Sequence, residues 1–125
     1  MDMIIKNIKD VASANPNFRK VLLTGNHIQI VVMSLPPGGE IGEEVHEEND
    51  QVLVCTGGSG KVVLDGVESE YTGHDVVLVK AGVKHNFINT GTTEMKIVTM
   101  YSPPHHGYDT VHATKAEADA AEAAE

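Results

Sequence analysis

Two short stretches of the sequence carry side chains that could bind a cation together. The first, GEEVHEENDQ at residues 42–51, contains Glu44, His46 and Gln51, and the second, HNFIN, begins with His85. Residues two positions apart on a strand point to the same face, so Glu44 and His46 would project together if this segment is extended. Two imidazoles and a carboxylate on one face, with positions left open, suit a divalent transition metal such as Fe, Mn, Ni or Zn.

The charge of this region has two interpretations. A carboxylate buried alone would be costly, and a bound cation removes that cost by supplying the opposite charge. A Glu-x-His pair on a strand is commonplace, however, and both histidines could instead satisfy local hydrogen bonds. For the other acids of the first stretch we prefer the simpler interpretation that they face water in a solvated loop; these are Glu43, Glu47, Glu48 and Asp50.

Short apolar runs must position these side chains. From residue 20 onward, turn residues separate the runs VLLT, HIQIVVMSL, QVLVC, KVVLD, DVVLV, HNFIN and MKIVTMY. Short strands at this spacing, without helical patterns between them, predict an all-β sandwich or barrel. The pair Asp65-Gly66 supplies the positive φ angles of a tight hairpin, and Pro36-Pro37 must end the strand before it. If the strands form one small barrel, the four candidate ligands converge inside it.

Both ends of the chain are predicted to be helical. Apolar residues between positions 4 and 15 have a helix-like spacing, and the Ala/Glu-rich residues 114–125 suggest a solvated terminal helix. A chain of 125 residues suits a single core. The expected organisation is a short N-terminal helix or arm at 1–19, a barrel at 20–102, and a Pro/His loop with an acidic tail at 103–125.

Charge and composition narrow the choice of partners. The formal net charge is −9 and Lys and Arg are not clustered, which argues against nucleic acid and membrane surfaces and favours a small-molecule ligand or a cation. The single Cys55 cannot form an intrachain disulfide, and the N-terminus lacks the apolar core of a signal peptide. No apolar run reaches the roughly 20 residues needed to span a bilayer. We therefore expect a soluble, cytoplasmic protein.

Three other features have competing interpretations. The glycine-rich residues 57–60 could cradle a phosphate, but no helix pattern follows them, so we predict a turn between strands. Cys55 lies in an apolar strand and is predicted to pack rather than to react. The pair His105-His106 follows two prolines and precedes His112. It forms either an exposed polar loop or a stiff lid over the barrel mouth that could transfer protons.

Residues 36–60 resemble the first conserved motif of the small single-domain cupins. That motif has a glycine, a short gap, His-x-His, a spacer, a glutamate and a later glycine. Here Glu44-x-His46, Gln51 and Gly58 stand at the same spacing without a gap. Most cupins have a histidine at the position of Glu44 and a glutamate at the position of Gln51, so here the carboxylate stands at the earlier position and an amide at the later one.

The stretch DVVLVKAGVKHNFIN resembles the second cupin motif, in which Gly-Asp and a strand precede Pro-x-Gly-x-x-His and an asparagine. Gly82, His85 and Asn89 stand at the matching offsets, whereas Lys80 replaces the proline and His74 the glycine. The pattern is similar to that of a bacterial subgroup with Glu-x-His, Gln and His that is labelled phosphomannose-isomerase-like.

The resemblance implies an all-β fold, the double-stranded β-helix or jelly-roll barrel, between the two helical ends. It also implies one divalent transition metal bound by Glu44, His46, His85 and, as the weakest donor, Gln51. The ion would serve as a Lewis acid in the isomerisation of a sugar, a sugar phosphate or a keto acid. An Fe(II)-dependent dioxygenase and a non-catalytic module that binds a small ligand remain open as alternatives.

Small cupins commonly associate as dimers, and the resemblance implies a homodimer here. Val52 and Val54 alternate with the residues of the proposed metal face and therefore point away from it. An apolar outer face of a sheet favours association with a second copy, so these two valines are the expected contact residues.

Overall fold

The computed structural model of the protein describes residues 3–123, and strands dominate it. The elements in chain order are α1 (Ile8–Ala14), β1 (Arg19–Thr24), β2 (Gln29–Leu35), β3 (Asp50–Gly57), β4 (Ser59–Leu64), β5 (Val67–Thr72), β6 (Val76–Val79), β7 (His85–Asn89), β8 (Met95–Ser102), β9 (Val111–His112) and α2 (Lys115–Ala123). Each apolar run quoted above falls largely within one strand, which confirms the mostly β class. The first helix begins later than predicted because Asn7 takes a left-handed backbone conformation, with φ of 56°.

The strands form two antiparallel sheets. In hydrogen-bonded order the larger sheet is β6-β3-β8-β2-β1-β9, and the smaller sheet is β5-β4-β7. The pairings among the described residues do not join these sheets into one ring, so the predicted closed barrel is corrected to a two-sheet sandwich consistent with a jelly roll. The chain leaves the larger sheet at corners that interrupt a ladder. One is Pro36, which has no backbone donor, and another is Gly58, whose φ is 88°. The glycine-rich residues 57–60 thus connect two strands, as predicted.

The core fills the space between the sheets, and the alternation of side chains along each strand supplies it. On β3, Leu53 and Cys55 are fully buried, whereas Val52 and Val54 on the other face are half-buried. Each fully buried Val, Leu or Ile side chain contributes roughly 1.5–3 kcal/mol relative to an exposed one. Cys55 packs in this core as predicted, and burial raises the pKa of its thiol.

The predicted hairpin turn fixes the register of the smaller sheet. Asp65 and Gly66 have φ of 48° and 84°, and they place Leu64 opposite Val67. The carboxylate of Asp65 also accepts the backbone N–H of Lys84 at 3.1 Å. This bond ties the hairpin to the residue that precedes β7, and β7 begins at the candidate ligand His85.

The N-terminal segment covers part of the outer face of the larger sheet. Ala12 of α1 is fully buried against Val32 and Val98. The arm before the helix, including Met3 and Ile5, lines a groove of about 410 Å³ on the same face. The outer face of β2 and β8 is therefore partly covered by the chain itself.

The C-terminal helix α2 packs more closely than the predicted solvated helix. Ala118 is buried in the main core, which gives α2 one apolar contact with the sandwich. Thr114 accepts the backbone N–H of Glu117 at 3.2 Å, and the Glu117 carboxylate accepts the N–H of Ala113 at 2.8 Å, so the first turn is capped. Because β9 also pairs with β1, the segment after the Pro/His loop is attached to the larger sheet. The division of the chain at residues 19 and 102 stays a prediction.

Candidate functional site

A reciprocal backbone pair brings two of the candidate ligands together. The N–H of Glu44 donates to the carbonyl of His85 at 2.9 Å, and the N–H of His85 donates to the carbonyl of Glu44 at 2.9 Å. This isolated antiparallel bridge extends the ladder on the β7 side of the smaller sheet. His46 lies two residues further along the same extended segment, so its side chain follows that of Glu44, as the sequence predicts. Glu43 and Val45 are exposed, as expected for the opposite face.

The three side chains converge. Nε2 of His46 lies 2.9 Å from Oε2 of Glu44, and one ligand atom from each of Glu44, His46 and His85 lies within 4.8 Å of the others. We call these three residues the triad. Metal bonds of about 2.0–2.2 Å place neighbouring ligand atoms roughly 3 Å apart. Small side-chain adjustments therefore suffice for all three atoms to reach one ion.

The orientation of the imidazoles fits a cation between them. Nδ1 of His85 lies 2.9 Å from the carbonyl of Val83, so it carries the proton and leaves the Nε2 lone pair available. Nε2 of His46 is buried and has no hydrogen-bond partner among the described residues. It is within ion-pair distance of Glu44, but the approach does not have the angles of a hydrogen bond. A buried ring nitrogen that faces a carboxylate without a hydrogen bond suits a shared positive ion.

The charge states of the triad also suit metal binding. Burial raises the pKa of Glu44, but the attraction of His46, Arg19 and His85 outweighs it and leaves the pKa below its ordinary value. Burial is the main cause that lowers the pKa of His85, and the neighbouring His46 acts in the same direction, whereas the backbone hydrogen bond to Val83 and the Glu44 carboxylate act to raise it. An ionised carboxylate and a neutral imidazole are the forms that bind metal ions.

Gln51 lies on the inner face of β3, with 3% of its surface exposed. Its Nε2 donates to Oγ1 of Thr99 at 3.0 Å, which fixes the amide so that Oε1 is the free end. Oε1 is buried and has no hydrogen-bond partner among residues 3–123. An acceptor oxygen left in this state has the chemistry of a weak metal ligand. Its ligation of an ion stays a prediction.

The loop with His105 and His106 folds against the site. The ring of His105 lies 4.6 Å from that of His46 and stacks on Tyr101 at 5.3 Å, centre to centre. His106 packs edge-on against Tyr101 and is partly buried, and burial lowers its pKa to about 2. His106 therefore stays neutral, whereas the exposed His105 lies between the triad and water. This position is the one that a lid or a proton-transfer group requires, and the role itself stays a prediction.

A buried glutamine holds this loop in place. Oε1 of Gln29 accepts the backbone N–H groups of His105 at 3.2 Å and His106 at 2.9 Å, and Nε2 donates to the carbonyl of His106 at 2.7 Å. Gln29 is fully buried at the start of β2. Sequence reasoning missed it because a single amide in an apolar run has no diagnostic spacing.

Two further residues beside the triad were not singled out as site residues from the sequence. The ring of Tyr101 lies 5.9 Å from that of His46, and burial raises the pKa of its phenol although Arg19 opposes the shift. Arg19 is 2% exposed at the start of β1. The alternation of side chains along β1 could have predicted that Arg19 is buried, because Arg19 lies on the same face of the strand as the buried, apolar Val21.

The four acids assigned to a solvated loop are exposed, as expected, and His27 and His74 are exposed as well. One of these acids, Asp50, accepts the backbone N–H of Ala81 at 2.9 Å and so also holds a turn. His74 has φ of 78°, which explains why cupins have glycine at this position.

Cavity volume alone does not identify the site. A groove of about 590 Å³ lies between β4, β5 and β6, and the groove of about 410 Å³ lies on the outer face. Neither is lined by a residue of the triad. The arrangement of ligand atoms, rather than volume, is therefore the feature that indicates function.

Comparisons with known proteins agree with the observed fold. Residues 31–101 match the family model described as a cupin domain. The uncharacterized protein YrkC of Bacillus subtilis is 41% identical over 124 residues, which cover 94% of this chain and 67% of YrkC. The crystal structure of BH2720 from Bacillus halodurans is 37% identical with a TM-score of 0.93, and the match covers 95% of each chain. The structure of a predicted oxalate decarboxylase from Thermotoga maritima is 23% identical with a TM-score of 0.65, over 69% of this chain and 79% of that one, and shows the fold alone.

The contacts of Gln29 predict how the loop depends on it. Replacing Gln29 by Met keeps the volume but removes the hydrogen bonds to the loop, so the amides of His105 and His106 should exchange with deuterium at least about tenfold faster. Native-state hydrogen exchange measures this. Ser102→Ala, which removes one exposed bond to His27, is the control and should leave these rates unchanged. Unchanged exchange in Gln29→Met would contradict the assignment.

Proposed function

This chain belongs to the cupin family, and on that basis we propose that Glu44, His46 and His85, with Gln51 as a fourth ligand, bind one divalent transition metal beside a small organic ligand. The observation that carries the proposal is the convergence of three ligand atoms within 4.8 Å of one another. Two buried atoms that lack a hydrogen-bond partner among the described residues, Nε2 of His46 and Oε1 of Gln51, support it. A bound cation gives each of these buried atoms a partner.

The donor set limits the metal without selecting one. Two imidazoles, one carboxylate and one amide oxygen suit Fe, Mn, Ni or Zn, and they leave positions open for a ligand of the site. The ion, when bound, would supply Lewis acid chemistry that polarises a carbonyl oxygen and stabilises an enolate charge. The hydrogen bond from His85 to Val83 orients one imidazole for this role.

Isomerisation of a keto acid or a sugar, including a sugar phosphate, is the reaction that we propose for the site. It requires groups that hold and move a proton next to the reacting carbon. Burial raises the pKa of Tyr101, so its hydroxyl stays protonated and can donate a hydrogen bond. His105 stacks on Tyr101 and faces water, so its imidazole can exchange protons with solvent.

Two alternatives use the same residues. Two histidines and one carboxylate with open positions also form the ligand set of Fe(II) oxygenases, so an Fe(II)-dependent dioxygenase is the second candidate. A non-catalytic module that binds a small ligand is the third. Exchange of a substrate C–H with deuterated water, without oxygen uptake, supports the isomerase. Oxygen uptake supports the dioxygenase, and tight ligand binding with neither process supports the binding module.

We also propose that the protein forms a homodimer through an apolar edge patch, defined as Val52, Val54, Val76 and Leu78. Val76 and Leu78 are 64% and 56% exposed on β6, one of the two edge strands of the larger sheet, and they pair with Val54 and Val52. An edge strand also presents unpaired backbone groups, which β6 of a second copy can satisfy across a two-fold axis. The patch could therefore associate with a second copy both through its apolar side chains and through backbone hydrogen bonds between the two β6 strands.

The proposal also includes the compartment of the protein and the class of partner that it binds. Among residues 3–123, neither helix is long and apolar enough to cross a membrane. The acidic net charge supports a small-molecule partner rather than nucleic acid or a membrane surface. We propose a cytoplasmic location, which the buried, reduced Cys55 suits.

The metal proposal predicts which substitutions abolish binding. After removal of metals by chelation and dialysis, the wild type should bind one equivalent of a divalent transition metal in calorimetry. Glu44→Gln, His46→Ala and His85→Ala should each weaken that affinity by more than about 100-fold, because each removes a direct ligand.

Matched controls separate this loss from general effects of substitution. Glu43→Gln and His74→Ala change exposed residues that face away from the triad and should keep the affinity of the wild type within about threefold. A wild type that binds no metal would contradict the proposal, and so would controls that lose as much affinity as the triad variants.

The apolar edge patch predicts the oligomeric state. The wild type should sediment as a dimer in analytical ultracentrifugation, and Leu78→Glu should sediment as a monomer because it places a charge in the contact. Val67→Glu is the control, since Val67 is 68% exposed on the smaller sheet. A monomeric wild type, or a Leu78→Glu variant that stays dimeric, would show that the patch is not the contact.

A further inference from the structure

Arg19 is the only arginine of the chain, and it is buried. It lies on the inner face of β1 with 2% of its surface exposed, in a protein of formal net charge −9. A guanidinium cannot lose its charge by deprotonation as a buried lysine can. A permanent charge in the interior requires an opposite charge or a full set of acceptors.

The neighbours of Arg19 do not supply that opposite charge. Nη1 lies 3.4 Å from Nδ1 of His112, and Cζ lies 5.3 Å from the ring centre of Phe18. The guanidinium also interacts with the hydroxyl of Tyr101. Nε is buried without a hydrogen-bond partner, and within residues 3–123 no carboxylate forms an ion pair with the guanidinium at 4.0 Å or less.

Arg19 acts on the same interior space as the triad. Tyr101 connects the two groups, because it interacts with Arg19 and its ring lies 5.9 Å from that of His46. A ligand at the triad would therefore lie close to an unpaired, buried cation.

The proposed metal site increases the need for negative charge. Glu44 is the single carboxylate of the triad, so a divalent ion bound there retains one positive charge, and Arg19 adds another. A ligand that carries two negative charges would balance this interior, and a neutral sugar would not.

We propose that Arg19 binds the carboxylate of a small organic acid whose other oxygen atoms lie at the triad. This inference rests on the proposed metal site and adds the class of ligand: a dicarboxylate or a 2-oxo acid. The planar guanidinium donates two parallel hydrogen bonds to a planar carboxylate, and the partnerless Nε can be one of the donors. The rings of Tyr101 and His105 around His46 favour a small acid.

Malonate is the probe for this ligand class. Calorimetry with the full chain, once loaded with metal and once after chelation, gives its affinity with and without the ion. The wild type should bind one malonate in both states. Malonamide, which has the same shape without charge, and inorganic phosphate, which is a tetrahedral anion, should bind at least about tenfold more weakly.

Three variants assign the binding to the guanidinium. Arg19→Met should weaken malonate binding by about 10- to 100-fold in the chelated protein, because a charge-assisted pair is lost. Arg19→Lys keeps the charge but loses the fork and should fall between that variant and the wild type. Lys20→Met, at an exposed position of the same strand, should bind as the wild type does. If Arg19→Met does not fold, as judged by circular dichroism, Arg19→Lys carries the test.

The outcomes separate this inference from the metal proposal. The inference is overturned if the Arg19 variants bind malonate as tightly as the wild type does. It is also overturned if the wild type binds no malonate in either state, or binds phosphate more tightly than malonate. If Arg19 has only a structural role, its variants will melt at a lower temperature, but malonate will still raise their melting temperature as much as it does for the wild type. That result would also overturn the inference. If malonate binds through Arg19 while no metal binds, the carboxylate site stands and the metal proposal fails.

Discussion

The reciprocal backbone pair between Glu44 and His85 is the constraint on which the site depends. It joins a segment outside the regular strands to the first residue of β7 and places a carboxylate beside an imidazole at the edge of the core. His46 lies beside them because residues two positions apart on an extended chain point to the same face. In the proposed metal site, a positive ion between these groups would offset the cost of placing the carboxylate at the edge of the core.

The rest of the sandwich divides into an apolar region and a polar region. Leu53, Cys55 and Ile97 fill the apolar region, where burial provides stability. The polar region contains the triad, together with Arg19 and the amides of Gln29 and Gln51. These side chains are buried or half-buried, and Arg19, His46 and Gln51 each keep one buried atom without a hydrogen-bond partner among the described residues, which distinguishes them from the solvated acids nearby. Buried polar groups that lack partners in the chain are the groups that a metal and an acidic ligand can satisfy.

The sequence predicted the features that depend on spacing. Alternation placed Leu53 and Cys55 inward, the Asp65-Gly66 pair gave the hairpin, and motif spacing identified the three residues of the triad although Glu44 stands where most cupins have histidine. Closure of the barrel was not predictable, because it depends on whether edge strands from distant parts of the chain meet. Arg19 and Gln29 were missed for a related reason. Each is a single polar residue in an apolar run, and only the tertiary arrangement shows that a loop or an unpaired charge depends on it.

The central claim is that the triad shares one divalent ion, and anomalous X-ray scattering tests it most directly. Diffraction data from crystals of the metal-loaded protein, collected above and below the absorption edge of the metal, locate the ion and identify the element. The account predicts one anomalous peak about 2.0–2.3 Å from a carboxylate oxygen of Glu44 and from Nε2 of both His46 and His85. Anomalous peaks confined to exposed histidines such as His27 or His74, with none between the triad residues, would contradict it.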